Sequence, residues 1–122
     1  MNILNKVVLS EVSAAETVTS DPIDVSQCTT LSLAGVVTGG SSPTGALKVQ
    51  LSNYKLPALA NSRAIPDDSW VDLANGSLSF TVAASKSTGA LTICAQHARA
   101  AYTYSSGSGG TLSATFNARN DA

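Results

Sequence analysis

A chain of 122 residues with a net charge of −1 and only 12% charged side chains has room for one domain, and a domain of this size buries a core without a metal or disulfide staple. Its seven basic residues, Lys6, Lys48, Lys55, Arg63, Lys86, Arg99 and Arg119, are scattered along the chain, which argues against a nucleic-acid partner. No apolar run approaches the ~20 residues that span a bilayer, and Met1 to Lys6 lacks the apolar core of a secretory signal. A soluble, unprocessed chain is expected, with Cys28 and Cys94 as reduced, mostly buried thiols outside any metal-ligand spacing.

Short strands follow one another in chain order. Val7 to Ser10 is the first, and Glu11 to Thr19 continues as strand or extended loop. Asp21-Pro22 interrupts pairing because proline has no amide donor, and Ile23 and Val25 alternate with polar residues as an edge strand. Leu31, Leu33 and Val36 define a more apolar strand, in which Gly35 marks a bulge or a close approach. Thr38 to Gly45 carries the chemistry of a turn. Ala46 to Ser52 then presents Leu47, Val49 and Leu51 on one face.

Asn53 to Asp68 is the longest irregular stretch, with Pro57, Pro66 and a helical possibility at Ala58-Leu59-Ala60. Order resumes at Trp70, Val71 and Leu73, and Asn75-Gly76 predicts a two-residue hairpin into Leu78 to Val82. Leu91 to Cys94 is a further strand or a strand-like crossover. From His97 to Ala118, two alternating segments flank Ser105-Ser106-Gly107-Ser108-Gly109-Gly110, which reads as a closing β-hairpin.

The count, about seven to nine short strands, predicts an all-β fold: an antiparallel two-sheet β-sandwich, jelly-roll-like or Ig-like. Its expected core is Leu31, Leu33, Leu47, Val49, Leu51, Trp70, Phe80, Val82, Ile93, Tyr102, Leu112 and Phe116. With so few charges, uncovered sheet edges are poorly guarded against pairing with other chains, which favours an oligomer or a docked subunit.

Candidate chemistry is sparse. His97 is the single histidine, and it reads as a surface or edge-strand residue, since a base or ligand role needs partners such as Asp67, Asp68, Asp72 or Cys94. Asp67, Asp68, Asp72 and Asn75 are oxygen donors of the kind calcium accepts, without the twelve-residue loop pattern, and a solvated turn is the plainer reading. Trp70 with Tyr54, Tyr102 and Tyr104 suggests an aromatic platform for a sugar, set against Trp70 as a core plug. No G-x-S-x-G elbow occurs, and the glycine loops lack a following Lys-Ser/Thr. The chain is therefore expected to be neither an enzyme nor a cofactor or metal binder.

Five segments carry a resemblance. Ser20-Asp21-Pro22-Ile23-Asp24-Val25-Ser26 is followed by Thr44-Gly45-Ala46-Leu47-Lys48-Val49-Gln50-Leu51-Ser52-Asn53, and then by Ser69-Trp70-Val71-Asp72-Leu73. Ala98-Arg99-Ala100-Ala101-Tyr102-Thr103 and the run from Ser106 to Asn117 complete the series. In this order they resemble the small β-sandwich virion proteins of tailed bacteriophages, over Ser20 to Arg119. Tyr54 to Asp68 departs from that pattern as an insertion.

The resemblance implies a structural role on the particle: a head decoration or cement protein, a head spike or fibre, or a neck or tail component. It implies virion proteins such as the major capsid protein as partners, a homo-oligomer with a trimer favoured, and a virion location after synthesis in the host cytoplasm. Residues 1–19 then form an N-terminal strand or docking arm ahead of a sandwich domain at 20–122. Ile3, Leu4, Val7, Val8, Tyr54 and Arg99 are the candidate interface residues. A carbohydrate-binding module using Trp70, Tyr54 and the inserted loop is the competing class.

Overall fold

The computed structural model describes residues 3–55 and 64–120. Among them are ten strands: β1 (Ile3–Ser13), β2 (Val18–Thr19), β3 (Ile23–Asp24), β4 (Thr30–Thr38), β5 (Ser41–Ser52), β6 (Val71–Phe80), β7 (Ala84–Ser87), β8 (Leu91–Thr92), β9 (His97–Ser108) and β10 (Thr111–Arg119). They form two antiparallel sheets. Sheet one runs β1-β10-β4-β7 with β8 also on β4, and sheet two runs β2-β9-β5-β6 with β3 also on β9. Alternation along each strand sends one set of side chains between the sheets. Leu31, Leu33 and Val37 from β4 meet Leu47 and Val49 from β5, Phe80 from β6, Ala98, Ala100 and Tyr102 from β9, and Leu112, Ala114 and Phe116 from β10.

The expected closing hairpin is not one. β9 and β10 do not pair: β9 lies in sheet two against β5, and β10 lies in sheet one between β1 and β4. Residues 30–52 run antiparallel to residues 97–119 as a single ribbon folded over at its middle. The paired residue numbers add to 149 at Thr30↔Arg119, at Thr38↔Thr111 on one side of the fold, at Ser41↔Ser108 on the other, and at Ser52↔His97.

Both chains of the ribbon turn the corner on glycines with positive φ, Gly39 and Gly40 in one and Gly109 and Gly110 in the other. The two turns nest. A Cβ on Gly40 would lie 2.7 Å from the Ser108 carbonyl oxygen and 2.8 Å from the Gly110 nitrogen. The glycines therefore supply both a backbone conformation and a backbone-to-backbone contact that other residues do not reach without strain.

Asn75-Gly76 likewise forms no hairpin. Val71 to Phe80 is one strand along β5, and the register steps from Lys48↔Ser77 to Gln50↔Asp72, so residues 73–76 bulge from the ladder. Asn75 takes positive φ there, the conformation that Asn tolerates better than most residues. Gly35 sits in an unbroken register and marks a close approach: a Cβ would be 2.7 Å from Leu47 Cδ2. Because Leu31 and Leu33 face inward, the alternation brings in Val37 and turns Val36 out, the reverse of expectation.

Of the expected core, Leu51 is only partly buried against the cluster, and Val82, in the turn after β6, is 54% exposed. Trp70 is buried but lies outside the cluster between the sheets. Leu9, Ile23, Val25 and Leu78 join it instead. Residues 3–13 are an edge strand of the sandwich itself, paired with β10 from Ile3↔Arg119 to Ser13↔Thr111 through two bulges.

Where Asp21-Pro22 interrupts the edge between β2 and β3, Ser20 spans the gap. Its amide donates to the Ala100 carbonyl at 2.8 Å and its Oγ accepts from the Ala100 amide at 2.8 Å. Cys28 and Cys94 are both free, the first half-buried and the second exposed. Cys94 follows the core residue Ile93 and so points outward, against the expectation of two buried thiols. Burial pushes the Cys28 thiol up from its ordinary value, with the Asp24 carboxylate adding to the effect.

Tyr102 is the largest fully buried side chain, and its hydroxyl donates to the Ala14 carbonyl at 2.9 Å. Gly45 leaves the room for its ring, since a Cβ there would meet the phenol oxygen at 2.5 Å. Burial raises the Tyr102 phenol above its ordinary value of 10.0, with Tyr104 adding to the effect. The neutral phenol's contribution is complete below pH 10 and is lost as pH rises through the raised value. Tyr102→Phe is expected to cost about 1–3 kcal/mol in urea unfolding at neutral pH by stranding a buried carbonyl, and the wild-type advantage should narrow above pH 10. At the corner, Gly40→Ala should cost about 1–3 kcal/mol. Gly89→Ala, with nothing within 4 Å of the new methyl, is expected to be neutral or slightly stabilising in the same titration.

Candidate functional site

The chemistry-bearing side chains gather on the outer face of sheet two. Ala98 and Ala100 enter the core, so Arg99 between them faces out. There it stands opposite Gln50 of β5, which in turn stands opposite Asp72 of β6. The three form a ladder across the strands. Arg99 Nε donates to Gln50 Oε1 at 2.8 Å, Gln50 Nε2 donates to Asp72 Oδ1 at 3.0 Å, and Lys48 Nζ reaches Asp72 Oδ2 at 3.1 Å. The Gln50 and Lys48 hydrogen bonds hold the Asp72 carboxyl below its usual range.

Arg99 also lies over the Trp70 ring, 4.5 Å from its centroid, and its Nη1 is 3.9 Å from Asp67 Oδ1. Its side chain is only 16% exposed, and burial lowers its pKa while Asp67 opposes that shift. A 3-10 turn at Asp67–Ser69 brings Trp70 to this position. Ser69 Oγ holds the turn by donating to the Pro66 carbonyl and stands 2.9 Å from the buried Ser52 Oγ.

Beside Arg99 opens a cavity of about 190 Å³, lined by Thr19, Ser20, Asp21, Pro22, Ile65, Asp67 and Trp70 as well. That is below the roughly 300–1,000 Å³ of ordinary small-molecule pockets. Arg99 covers one face of the indole and little of Trp70 is exposed, so the ring presents no open surface for a sugar. Two of the aromatics expected near it are elsewhere: Tyr102 is in the core and Tyr104 packs against the core. Tyr54 is exposed just after β5.

The remaining candidates do not converge. Asp72 is engaged by Lys48 and Gln50, Asp67 faces Arg99, and among the described residues no group of three His, Cys, Asp or Glu side chains is placed to hold a metal. His97 stands opposite Asp24 of β3 and Ser52 of β5, and its buried Nδ1 has no hydrogen-bond partner among the described residues. Leu4 and Val8 pack partly against the core, while Val7 is 56% exposed. Arg99, among the expected interface residues, is engaged by this chain's own Gln50, Trp70 and Asp67. Pro57 and the helical possibility at residues 58–60 lie outside the described residues. Lys48 and Gln50 were not singled out from sequence, because only the register of β5 with β6 and β9 shows that they share a ladder.

No protein-family model matches the chain, and no curated protein matches it. Among solved structures, its fold is similar to that of a chain in the structure of infectious bursal disease virus, Gx strain, with a TM-score of 0.50 and 11% identity. The two share the fold. The match covers 99% of this chain and 32% of the viral one, so this chain spans about a third of that chain's length.

The ladder predicts two observable effects. Arg99→Ala should red-shift the emission of Trp70, the single tryptophan, by admitting water to the indole. Asp72→Ala should cost less than about 1 kcal/mol at neutral pH, as for other exposed pairs. Because the folded carboxyl is depressed, that cost is present above its ordinary value of 3.8 and should vanish as pH falls through the depressed one.

Proposed function

We propose that this chain is a non-enzymatic structural protein of a virus particle, and that it decorates or cements the head of a tailed bacteriophage. The observation that carries the reading is the fold likeness, over 99% of the chain, to part of a chain in a virus structure. The five-segment sequence resemblance to tailed-phage virion proteins supports it. So does the engagement of the polar side chains: the Arg99 ladder is satisfied by the protein's own groups and serves to fasten β9, β5 and β6 together. A structural module needs rigid sheets and outward surfaces for neighbours, and the sandwich supplies both.

Purified particles made from the genome that encodes the chain provide the test. The chain is expected to remain on washed particles in many copies, and a cryo-electron microscopy reconstruction should place it at repeating positions on the head shell. A few copies at one vertex would make it a neck or tail component. Absence from washed particles, with specific retention on a glycan array, would replace the structural reading with the carbohydrate-binding one.

A further inference from the structure

The two outer faces of the sandwich differ in kind. On sheet one, the residues that alternate with the core set are Thr30, Ser32, Ala34, Val36 and Thr38 on β4, and Thr111, Ser113, Thr115, Asn117 and Arg119 on β10. Their register joins Asn5 and Val7 of β1 to Asn117 and Thr115, and Ser85 and Ser87 of β7 to Val36 and Ala34. Among the described residues, the one charge in this set is Arg119, at a corner. Of the other charged residues of these strands, Lys6 and Lys86 occupy the register positions of Phe116 and Gly35, which point the opposite way, and Glu11 sits in the bulge at the β1 edge, where its amide donates to Ser113 Oγ at 3.0 Å. Lys86 reaches across to the Ser79 carbonyl of the other sheet at 2.6 Å.

We propose that this face of sheet one binds the same face of a second copy of the chain, making a two-fold dimer. Three properties favour a second copy. Apart from Arg119 and the Ile3 position opposite it at the same corner, no residue of the face exceeds Val or Asn in size, so most of the surface is flat, and a flat, nearly uncharged surface fits its own twin in an isologous contact. Ser and Thr hydroxyls donate and accept, so identical faces can satisfy one another, as Thr38 and Thr111 already do across strands at 2.7 Å.

The area is also adequate. Nine residues of β10 at ~3.4 Å each, across four strands ~4.8 Å apart, project to roughly 600 Å². The accessible area of a corrugated face is larger than its projection, which brings it near the ~800 Å² per partner of a stable interface. Val7 at 56% and Val36 at 38% exposure supply its apolar points, and a net charge of −1 sets up almost no repulsion between copies.

Sedimentation velocity of the full chain across a micromolar dilution series tests this directly. The wild type is expected to sediment as a dimer. Ala34→Lys or Thr115→Lys should shift it to monomer with an unchanged circular dichroism spectrum, while Thr103→Lys, on the exposed face of sheet two, should leave the dimer intact.

Should the lysine variants fail to fold, Ser113→Cys in a Cys28→Ser, Cys94→Ser background should cross-link to itself through a short bis-maleimide, and Thr103→Cys in that background should not. A wild type that is monomeric or trimeric overturns the proposal, as does a dimer that both face variants leave intact or a Ser113→Cys protein that fails to cross-link. None of these outcomes depends on whether the chain is found on particles.

Discussion

The fold depends on one contact, the nesting of the Gly39-Gly40 turn against the Gly109-Gly110 turn. At this point a single antiparallel ribbon, residues 30–52 against 97–119, leaves one sheet and enters the other, and past an irregularity at Thr44 it resumes the same register. The four central strands of the sandwich are the two halves of that ribbon, and β1, β2, β3, β6, β7 and β8 are added along its sides. Folding it over brings Leu31, Leu33, Leu112 and Phe116 face to face with Leu47, Val49 and Tyr102. Side chains at the crease would hold the two backbones apart and open the core at that end. Positive φ at four glycines is the conformational expression of the same requirement.

The same geometry explains what could be read from the sequence and what could not. Alternation marked the strands correctly in both arms of His97 to Ala118 and placed Tyr102 and Phe116 inward, because side-chain period is a local property. It could not show whether the second arm returns beside the first or crosses to the other sheet. A glycine turn permits both, and the choice rests on residues 30–52, far away in the chain. Asn75-Gly76 failed for a related reason. Its dihedral preference was correctly sensed, since Asn75 does take positive φ, but the longer β5 beside it kept β6 running as one strand with a bulge. Val36 and Val37 show the limit of hydrophobicity alone: equal in kind, they are sorted only by the alternation that Leu31 and Leu33 begin.

The site was legible in its residues and not in its relations. Trp70 and Arg99 both stood out from sequence, one as a core plug or sugar platform and the other as a free contact residue. In the fold each satisfies the other: the guanidinium covers the indole, and the indole shields the guanidinium from water. Such a stack stabilises both partners. Gln50 links it to Asp72, so an acid and a base on different strands are tied through a neutral amide rather than facing each other directly.

Charge placement then separates the two outer faces by physical role. Sheet two carries Lys48, Asp72 and Arg99 in lateral contacts that brace β9, β5 and β6, and bulky side chains and the Asp67–Ser69 turn rise above it. Sheet one is braced from within. Gly35 admits Leu47 and Phe80 close to the β4 backbone, and Lys86 ties β7 to the opposite sheet. Its outer side chains add hydroxyl contacts between strands, Thr38 with Thr111 and Ser113 Oγ with the Glu11 amide. Apart from Arg119 at a corner, they are small, uncharged and hydroxyl-rich, a composition that lays almost no desolvated charge in the way of a partner. The sandwich thus uses one face for its own rigidity and keeps the other unencumbered for contact.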